Sequence, residues 1–255
     1  RSVLTSLKTV SAGIQLKKQI MAGKNQQEAM TRVMPIQLQK HVLFNPYTNY
    51  NYFLNSAMLY VMLYLFVFLS SIYSLGNELK RGTGHELMAF SNQSVRMALV
   101  GKMLPYTIIF SGFAMLVNLI LFQVEGMPLR GNFGVLFVGQ FVTIVAYQLM
   151  GLIFVGVTSN LRLALSLGSA YSMLGITFSG VTFPFEAMPA FGRFIAALFP
   201  FTWWEKLMVS QALQGASLHS ALPNVCYILI FQLVSLCFLK LYKNRLNDPS
   251  CWGKL

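Results

Sequence analysis

Five long apolar runs set the pattern of the chain after about residue 50. The first covers residues 52–75 without a charged side chain. An α-helix rises about 1.5 Å per residue, so a helix over this run can cross a hydrocarbon core of about 30 Å. The five runs predict membrane-spanning helices over residues 52–75, 103–124, 133–157, 163–183 and 221–239.

Two segments between the runs carry patterns of their own. Residues 77–102 are polar, basic and punctuated by glycine, which favours a helix on the membrane surface, although an ordinary solvated loop fits the same pattern. Residues 184–205 are apolar, but prolines and charges divide them into pieces too short to span a bilayer. We interpret them as half-inserted helices, with Trp203 and Trp204 at the level of the lipid headgroups.

The first 46 residues differ from the rest of the chain. Apolar residues recur at roughly helical spacing between Val3 and Ile20, and then alternate with polar ones over residues 36–44. This order predicts a helix followed by a strand that ends at Asn45-Pro46, a partial α+β segment at the end of an extracytoplasmic domain. The chain does not open with Met, so we expect it to begin inside a longer polypeptide. The predicted fold class is mainly α, a polytopic helical membrane protein.

Composition supports the membrane class. Hydrophobic residues make up 55% of the chain and charged residues 10%, whereas soluble domains carry about 25% charge. The net charge of +12 would suggest nucleic acid as a partner of a soluble protein. Here the basic residues lie mainly between the apolar runs and at the chain ends, so the lipid bilayer accounts for them and nucleic acid is not expected.

The basic residues also orient the predicted spans. With residues 77–102 in the cytoplasm, the short segments on that side hold nine Lys and Arg, against three on the other side. The positive-inside rule therefore predicts a cytoplasmic segment 77–102, a cytoplasmic tail 246–255 and an external segment 184–205. Residues 1–45 then lie outside with seven basic residues, which is tolerated because long domains translocate largely regardless of charge.

Catalytic and metal-binding patterns are missing from the sequence. Gly101-Lys102 is followed by Met and is not part of a phosphate-binding loop. The three histidines are far apart, and Cys226, Cys237 and Cys251 form no Cys-x-x-Cys pair. We expect no enzyme activity, no metal and no cofactor in this chain.

A series of short motifs follows the order of the apolar runs and carries a family resemblance. The chain resembles the permease subunit of ABC transporters of the second exporter type, the ABC type-2 group that includes bacterial drug exporters with a large extracytoplasmic loop. Lys80 and His85 depart from acids that are common in that family. The motifs are Phe44-Asn45-Pro46, Glu78, Arg81-Gly82-Thr83, Glu86-Leu87, Gly101-Lys102, Pro105-Tyr106, Gly180, Phe183-Pro184, Met188-Pro189 and Pro200-Phe201-Thr202.

The resemblance implies a fold and a set of partners. A full subunit would have six helices and would pair with a second permease subunit, identical or different, in the bacterial cytoplasmic (inner) membrane. A separate cytoplasmic ATP-binding subunit would hydrolyse ATP and drive export of a hydrophobic or amphipathic substrate. A periplasmic adaptor protein is a further partner that the resemblance allows.

The resemblance also implies roles for individual residues. We expect the surface segment to transmit motion from the ATPase, with Arg81 and Lys102 anchoring it at the headgroups. The predicted ATPase-coupling residues are Glu78, Arg81, Gly82, Thr83, Glu86, Gly101 and Lys102. The predicted outer gate or substrate path comprises Gly180, Phe183, Pro184, Phe185, Met188 and Pro189, for which plain lipid or helix packing is the simpler alternative.

Two other functions were weighed against export. A non-transporting membrane scaffold or sensor fits the same apolar runs, and an adjacent gene for an ATPase would argue against it. A secondary transporter would need ionisable residues inside the spans to couple ions, and the five predicted spans contain no Lys, Arg, Asp or Glu.

Overall fold

The computed structural model describes residues 14, 17, 18, 20–23, 50–181, 183 and 185–253. The chain divides into two compact units, Arg1–Pro46 and Tyr47–Leu255. In the first unit Ile14 and Ile20 are helical, while the predicted strand at residues 36–44 lies outside the described residues. The described residues include no strand, so the predicted α+β character of this segment is not supported.

The second unit is helical throughout its described part. Its long helices begin after polar caps: Ser94, Asn132 and Asn160 each accept a hydrogen bond from a backbone N–H of the first turn, which satisfies donors that have no partner inside the helix. The helices are α1 (Tyr50–Arg81), α2 (Gly84–Phe90), α3 (Val95–Leu119), α4 (Phe133–Thr158), α5 (Leu161–Phe178), α6 (Ala190–Ala197), α7 (Pro200–Met208), α8 (Leu218–Cys237) and α9 (Leu239–Asn247). Short π-helical segments extend α3 over Ile120–Val124 and α7 over Val209–Gln214.

Five stretches are long and apolar enough to cross a membrane, as the sequence predicts. They are Leu54–Arg81, Val95–Val124, Phe133–Thr158, Leu161–Phe178 and Leu218–Asn247. The first and second are longer than the predicted runs because the helices continue into the polar segment between them. The fourth is shorter and ends at Phe178, before the prolines that follow.

Close contact between α1 and α4 forms the centre of the bundle. Gly151 of α4 faces α1 so closely that a Cβ atom there would lie 3.3 Å from the Ser71 Cβ and 3.4 Å from the Ile72 backbone nitrogen. The ring of Tyr64 stacks on that of Tyr147, with 5.5 Å between the centroids. Small residues that let helix backbones approach are a common basis for packing in membranes.

Buried polar side chains connect the same helices at a second level. The Tyr60 hydroxyl donates to Asn118 Oδ1 over 2.8 Å, and Asn118 Nδ2 donates to Gln140 Oε1 over 2.9 Å. Closer to the other end, the Thr107 hydroxyl donates to Gln148 Oε1 over 2.8 Å. These bonds join α1, α3 and α4 where no water is available to replace them.

Hydrogen bonds between distant segments define the two ends of the bundle. At one end the Tyr242 hydroxyl donates to the Leu75 carbonyl over 3.0 Å, and Arg245 Nε donates to the Gly156 carbonyl over 3.3 Å. At the other end the Gly131 N–H donates to the Gln211 carbonyl over 2.8 Å. The first end, here the basic end, holds the 77–102 segment and α9, and the second, the outer end, holds α6 and α7.

The close contact at Gly151 predicts that a larger side chain there destabilises the protein. Gly151→Leu should lower the free energy of unfolding by about 1–3 kcal/mol, because the new side chain overpacks the α1–α4 contact. Gly112→Leu on α3 is the matched control, since a Cβ there meets no atom within 4 Å. Thermal unfolding of both variants in detergent measures the difference, and equal melting temperatures would contradict the packing described.

Candidate functional site

The turn after α1 is the first part of the site at the basic end. Gly82 has a φ of +71°, a left-handed conformation that glycine adopts without strain. Its N–H donates to the Leu79 carbonyl, and the Thr83 N–H donates to the Glu78 carbonyl over 3.1 Å. This pair of bonds is a Schellman motif, so the Arg-Gly-Thr sequence fixes the direction in which the chain leaves the helix.

A cluster of polar side chains locks this turn to α3. The Glu78 carboxylate forms an ion pair with Lys102, and its other oxygen accepts a hydrogen bond from the Thr83 hydroxyl. The side chains of Glu78 and Lys102 are only 15% and 17% exposed, so water screens the pair less than an ordinary surface pair. Three of the predicted coupling residues therefore meet in one cluster. Lys102 contacts Glu78 there, and its anchoring at the headgroups stays a prediction.

The other predicted coupling residues lie on the surface. Arg81, Glu86 and Gly101 are exposed, and so is His85. The outward side of α2 ends in Phe90, whose side chain is 92% exposed. The two predicted acids thus differ in environment: Glu78 is engaged inside the bundle, whereas Glu86 is available to a partner.

The chain's C-terminal segment completes the site. The Gly253 N–H donates to the Leu79 carbonyl over 3.1 Å, and Trp252 Nε1 donates to the Leu246 carbonyl over 3.1 Å. The Trp252 ring lies against Gly82, where a Cβ atom would be 3.5 Å from it. Sequence reasoning treated residues 246–255 as a plain tail, although a tryptophan in a short polar segment was a signal that it packs.

Helix α2 rests on α9 at a second glycine. A Cβ atom at Gly84 would lie 2.7 Å from the Leu246 carbonyl oxygen, so only glycine permits this approach. Met88, one turn further along α2, is fully buried. Helix α2 is therefore held by α1 through the turn, by α9 through Gly84, and by the core through Met88.

The predicted outer-gate residues lie at the opposite end and are only partly together. Gly180, with a φ of +102°, lies beside Phe185, and the Lys206 ammonium sits 3.2 Å from the centroid of the Phe185 ring. Met188 is buried, whereas Phe183 and Pro189 are exposed. Pro184 lies outside the described residues.

The prediction for Trp204 was wrong. Its side chain is fully buried and packs edge-on against Tyr60 and Tyr64, with centroid distances of 5.0 and 5.7 Å. Only Trp203 is partly exposed, and it stacks on Tyr227 at 3.8 Å. The second half of the 184–205 segment is thus inserted among the spans, because α1, α4 and α8 offer apolar surfaces that the local sequence does not reveal.

The family model for ABC-2 family transporter proteins matches residues 2–239. The chain belongs to this family. No curated protein and no solved structure matches the chain. Family membership and the five candidate spans together identify the chain as an ABC-2 type permease, a multi-pass membrane transport protein.

Membership gives the basic end its significance, since the Gly82 turn and the Glu78 cluster lie at the cytoplasmic face if the positive-inside orientation holds. The described residues contain no group of His, Cys, Asp and Glu side chains that could hold a metal ion. The basic end holds a short surface helix, α2, whose position is fixed relative to α1, α3 and α9. Such an arrangement can transmit motion.

The different environments of the two acids give a prediction for the isolated chain. Glu78→Ala should lower the free energy of unfolding by about 1–2 kcal/mol, because it leaves the half-buried Lys102 ammonium without its partner. Glu86→Ala, at an exposed position, should change it by less than about 0.5 kcal/mol. Thermal unfolding in detergent compares the two, and an equal effect of both changes would show that the Glu78–Lys102 pair does not hold the turn.

Proposed function

We propose that this chain is the membrane-spanning subunit of an ABC exporter, which moves a hydrophobic or amphipathic substrate out of the cell. Energy would come from ATP hydrolysis in a separate cytoplasmic subunit. Family membership and the apolar spans support the permease role. The proposal further includes a second permease subunit, identical or different, and a location in the bacterial cytoplasmic membrane.

The fixed position of α2 is the observation that carries this proposal. A partner that pushes on a loosely attached loop would move only the loop. Helix α2 instead follows a turn that is bonded to α1, and it packs on α9. The Glu78–Lys102 pair beside that turn joins α1 to α3. A displacement of α2 therefore reaches three membrane helices. We name four exposed residues the coupling face, namely Arg81 at the end of α1 and His85, Glu86 and Phe90 of α2. We assign the ATP-binding subunit to this face.

A lateral cavity supports an amphipathic substrate. It has a volume of about 470 Å³ and opens between the outer parts of α3 and α4. Its walls are mainly apolar, while Asn118 and Gln123 add amide groups. Binding sites for small amphipathic molecules combine apolar walls with a few polar groups in this way. The lining includes Met115, Asn118, Leu119, Phe122, Gln123 and Phe133.

The first test asks whether the two ends of the bundle lie on opposite sides of the membrane. Cysteines introduced at His85 and at Ala190, both exposed positions, should react with an impermeant thiol reagent from opposite sides of the membrane. The expected side is the cytoplasm for His85→Cys and the exterior for Ala190→Cys, because of the bias in basic residues. The three native cysteines are first replaced by serine, so that only the introduced cysteine reacts. Labelling of both positions from the same side of the membrane would contradict the proposed topology.

The coupling face gives the second test. Glu86→Ala combined with Phe90→Ala should weaken binding of the ATP-binding subunit by about 1–3 kcal/mol, because exposed aromatic and charged groups at an interface contribute about this much. Co-purification of that subunit and ATP hydrolysis in proteoliposomes should fall together. Thermal stability of the permease should stay unchanged, since both side chains are exposed.

A matched control is available at the outer end. Phe191, 74% exposed on α6, can be changed to Ala with the same loss of apolar surface but away from the coupling face, and this variant should retain normal ATP hydrolysis. If the double variant keeps both co-purification and hydrolysis, α2 is an ordinary surface helix and the coupling role is refuted. If no ATP-binding subunit co-purifies with the unaltered chain, the exporter proposal itself fails.

A further inference from the structure

Helix α7 combines deep burial with a charged side chain. It lies outside the five candidate spans, yet within it only Trp203 and Lys206 are not fully buried. It packs against α1, α4 and α8 at the outer end. The buried set includes Glu205, whose side chain points into the interior of the bundle.

Glu205 has no hydrogen-bond partner among the described residues. The residue is 4% exposed, and neither carboxylate oxygen makes a hydrogen bond within the part of the chain that the structure describes. Its neighbours are aromatic: Tyr60 and Tyr64 of α1 are close enough to interact with it electrostatically. The Tyr60 hydroxyl already donates a hydrogen bond to Asn118 Oδ1.

A carboxyl group in these surroundings is neutral. Removing an ionised carboxylate from water without a compensating partner is costly, and proteins avoid that cost by keeping the group protonated. Burial raises the pKa of Glu205 from 4.5 to about 8. An ionised Glu205 therefore needs either water or a cation beside it, and no cationic side chain among the described residues forms an ion pair with it.

The chain changes direction at both ends of the α7 segment. On the N-terminal side Phe199 is in an extended conformation, directly before Pro200 at the first position of the helix. On the other side the π-helical stretch Val209–Gln214 ends at Gly215, which has a φ of +64°. π-Helical segments are often found at functional sites, and a glycine in the left-handed region marks a sharp change of path.

We propose that Glu205 is a proton-binding site that links the position of α7 to the protonation of its carboxyl group. The packed position holds the proton. When α7 separates from α1 and α4, water reaches the carboxyl group and takes the proton, with no other bond made or broken. The proposal goes beyond the exporter function and does not depend on it, because it concerns the permease chain alone.

Other ionisable groups around α7 do not supply this effect. Tyr60 and Tyr64 face Glu205 but stay neutral well above pH 8. The Lys206 ammonium lies over the rings of Phe185 and Trp203. The remaining candidates on neighbouring elements are the buried Tyr147, the half-buried Tyr171, and the exposed Arg193, His219, Cys226 and Tyr227. None of them makes a hydrogen bond to Glu205.

The direction of the pH dependence follows from the two positions. The carboxyl group has a high pKa when packed and an ordinary one when hydrated, so the packed position is most favoured below about pH 4.5 and loses its advantage as the pH rises towards about 8. One proton is involved, so the equilibrium between the packed and separated positions should shift about tenfold per pH unit in this window.

The test uses the full chain in nanodiscs, with the native cysteines replaced by serine and a single cysteine at Ala212. This position is fully buried in the segment that follows α7, and the substitution is small. Its reactivity towards a thiol reagent, divided by that of an exposed cysteine at Ala190 to remove the pH dependence of the thiol, should rise steeply between about pH 5 and about pH 8. Glu205→Gln, which imitates the protonated acid, should abolish the rise.

Glu125→Gln is the matched control. Glu125 is another acid at the outer end, but it is only partly buried and accepts a hydrogen bond from Asn55, so its variant should retain the full pH dependence. An equal rise in the Glu205→Gln protein, or a flat response in the unaltered one, overturns the proposal. An independent measurement is the infrared C=O band of a protonated carboxyl group, which should disappear with a midpoint near pH 8; the absence of this band at neutral pH also overturns it.

Discussion

The close contact between α1 and α4 is the constraint on which the rest of the structure depends. Lipid tails are as apolar as leucine side chains, so burial of apolar surface does not by itself hold helices together in a bilayer. What remains is close packing and hydrogen bonding, and both are concentrated here. Gly151 lets the backbones approach, Tyr64 stacks on Tyr147, and Phe68 packs edge-on against Phe154 at 5.1 Å.

The other helices attach to this pair by different physical means at the two ends. At the basic end the attachments are polar, through the Glu78–Lys102 ion pair and the bonds of Tyr242 and Arg245 to backbone carbonyls. At the outer end the hydrogen bond from Gly131 to Gln211 is combined with aromatic contacts, through Trp204 on α7 and Phe199 against Tyr171 at 4.7 Å. Directional bonds fix relative positions more strictly than aromatic packing does. The polar attachments of the basic end therefore suit it to the coupling role proposed above.

How far the sequence predicted this structure depended on the range of each interaction. Span number was predictable because length and apolarity decide it locally. The turn at Gly82 and Thr83 is also local, since it closes within a few residues, while the coupling role of these two residues stays a prediction. The packing of Trp252 on Gly82 joins residues far apart in the chain. The tryptophan signals that its segment packs, but no pattern near either residue indicates which partner it packs against.

Helix α7 was misjudged for a related reason. Its proline, glutamate and lysine are typical of an interfacial helix, and only the surfaces of α1, α4 and α8 decide that Trp204 and Glu205 are buried. Glu205 was visible in the sequence as a charge beside two tryptophans, but its significance depends on the missing hydrogen-bond partners, which are a property of the assembled bundle.

The two functional proposals meet on a single element. Helix α1 runs from Tyr50 to Arg81 without a proline. It carries Tyr60 and Tyr64 beside Glu205, and near its other end it carries Glu78, which pairs with Lys102. At about 1.5 Å per residue, the two clusters lie roughly 20–27 Å apart on one continuous helix. A continuous helix resists axial compression, so a shift of α1 at the basic end changes the surface against which α7 packs at the outer end. The π-helical segments lie in α3 and α7, not in α1, and this distribution leaves α1 as the rigid element and α7 as the element that can change its packing.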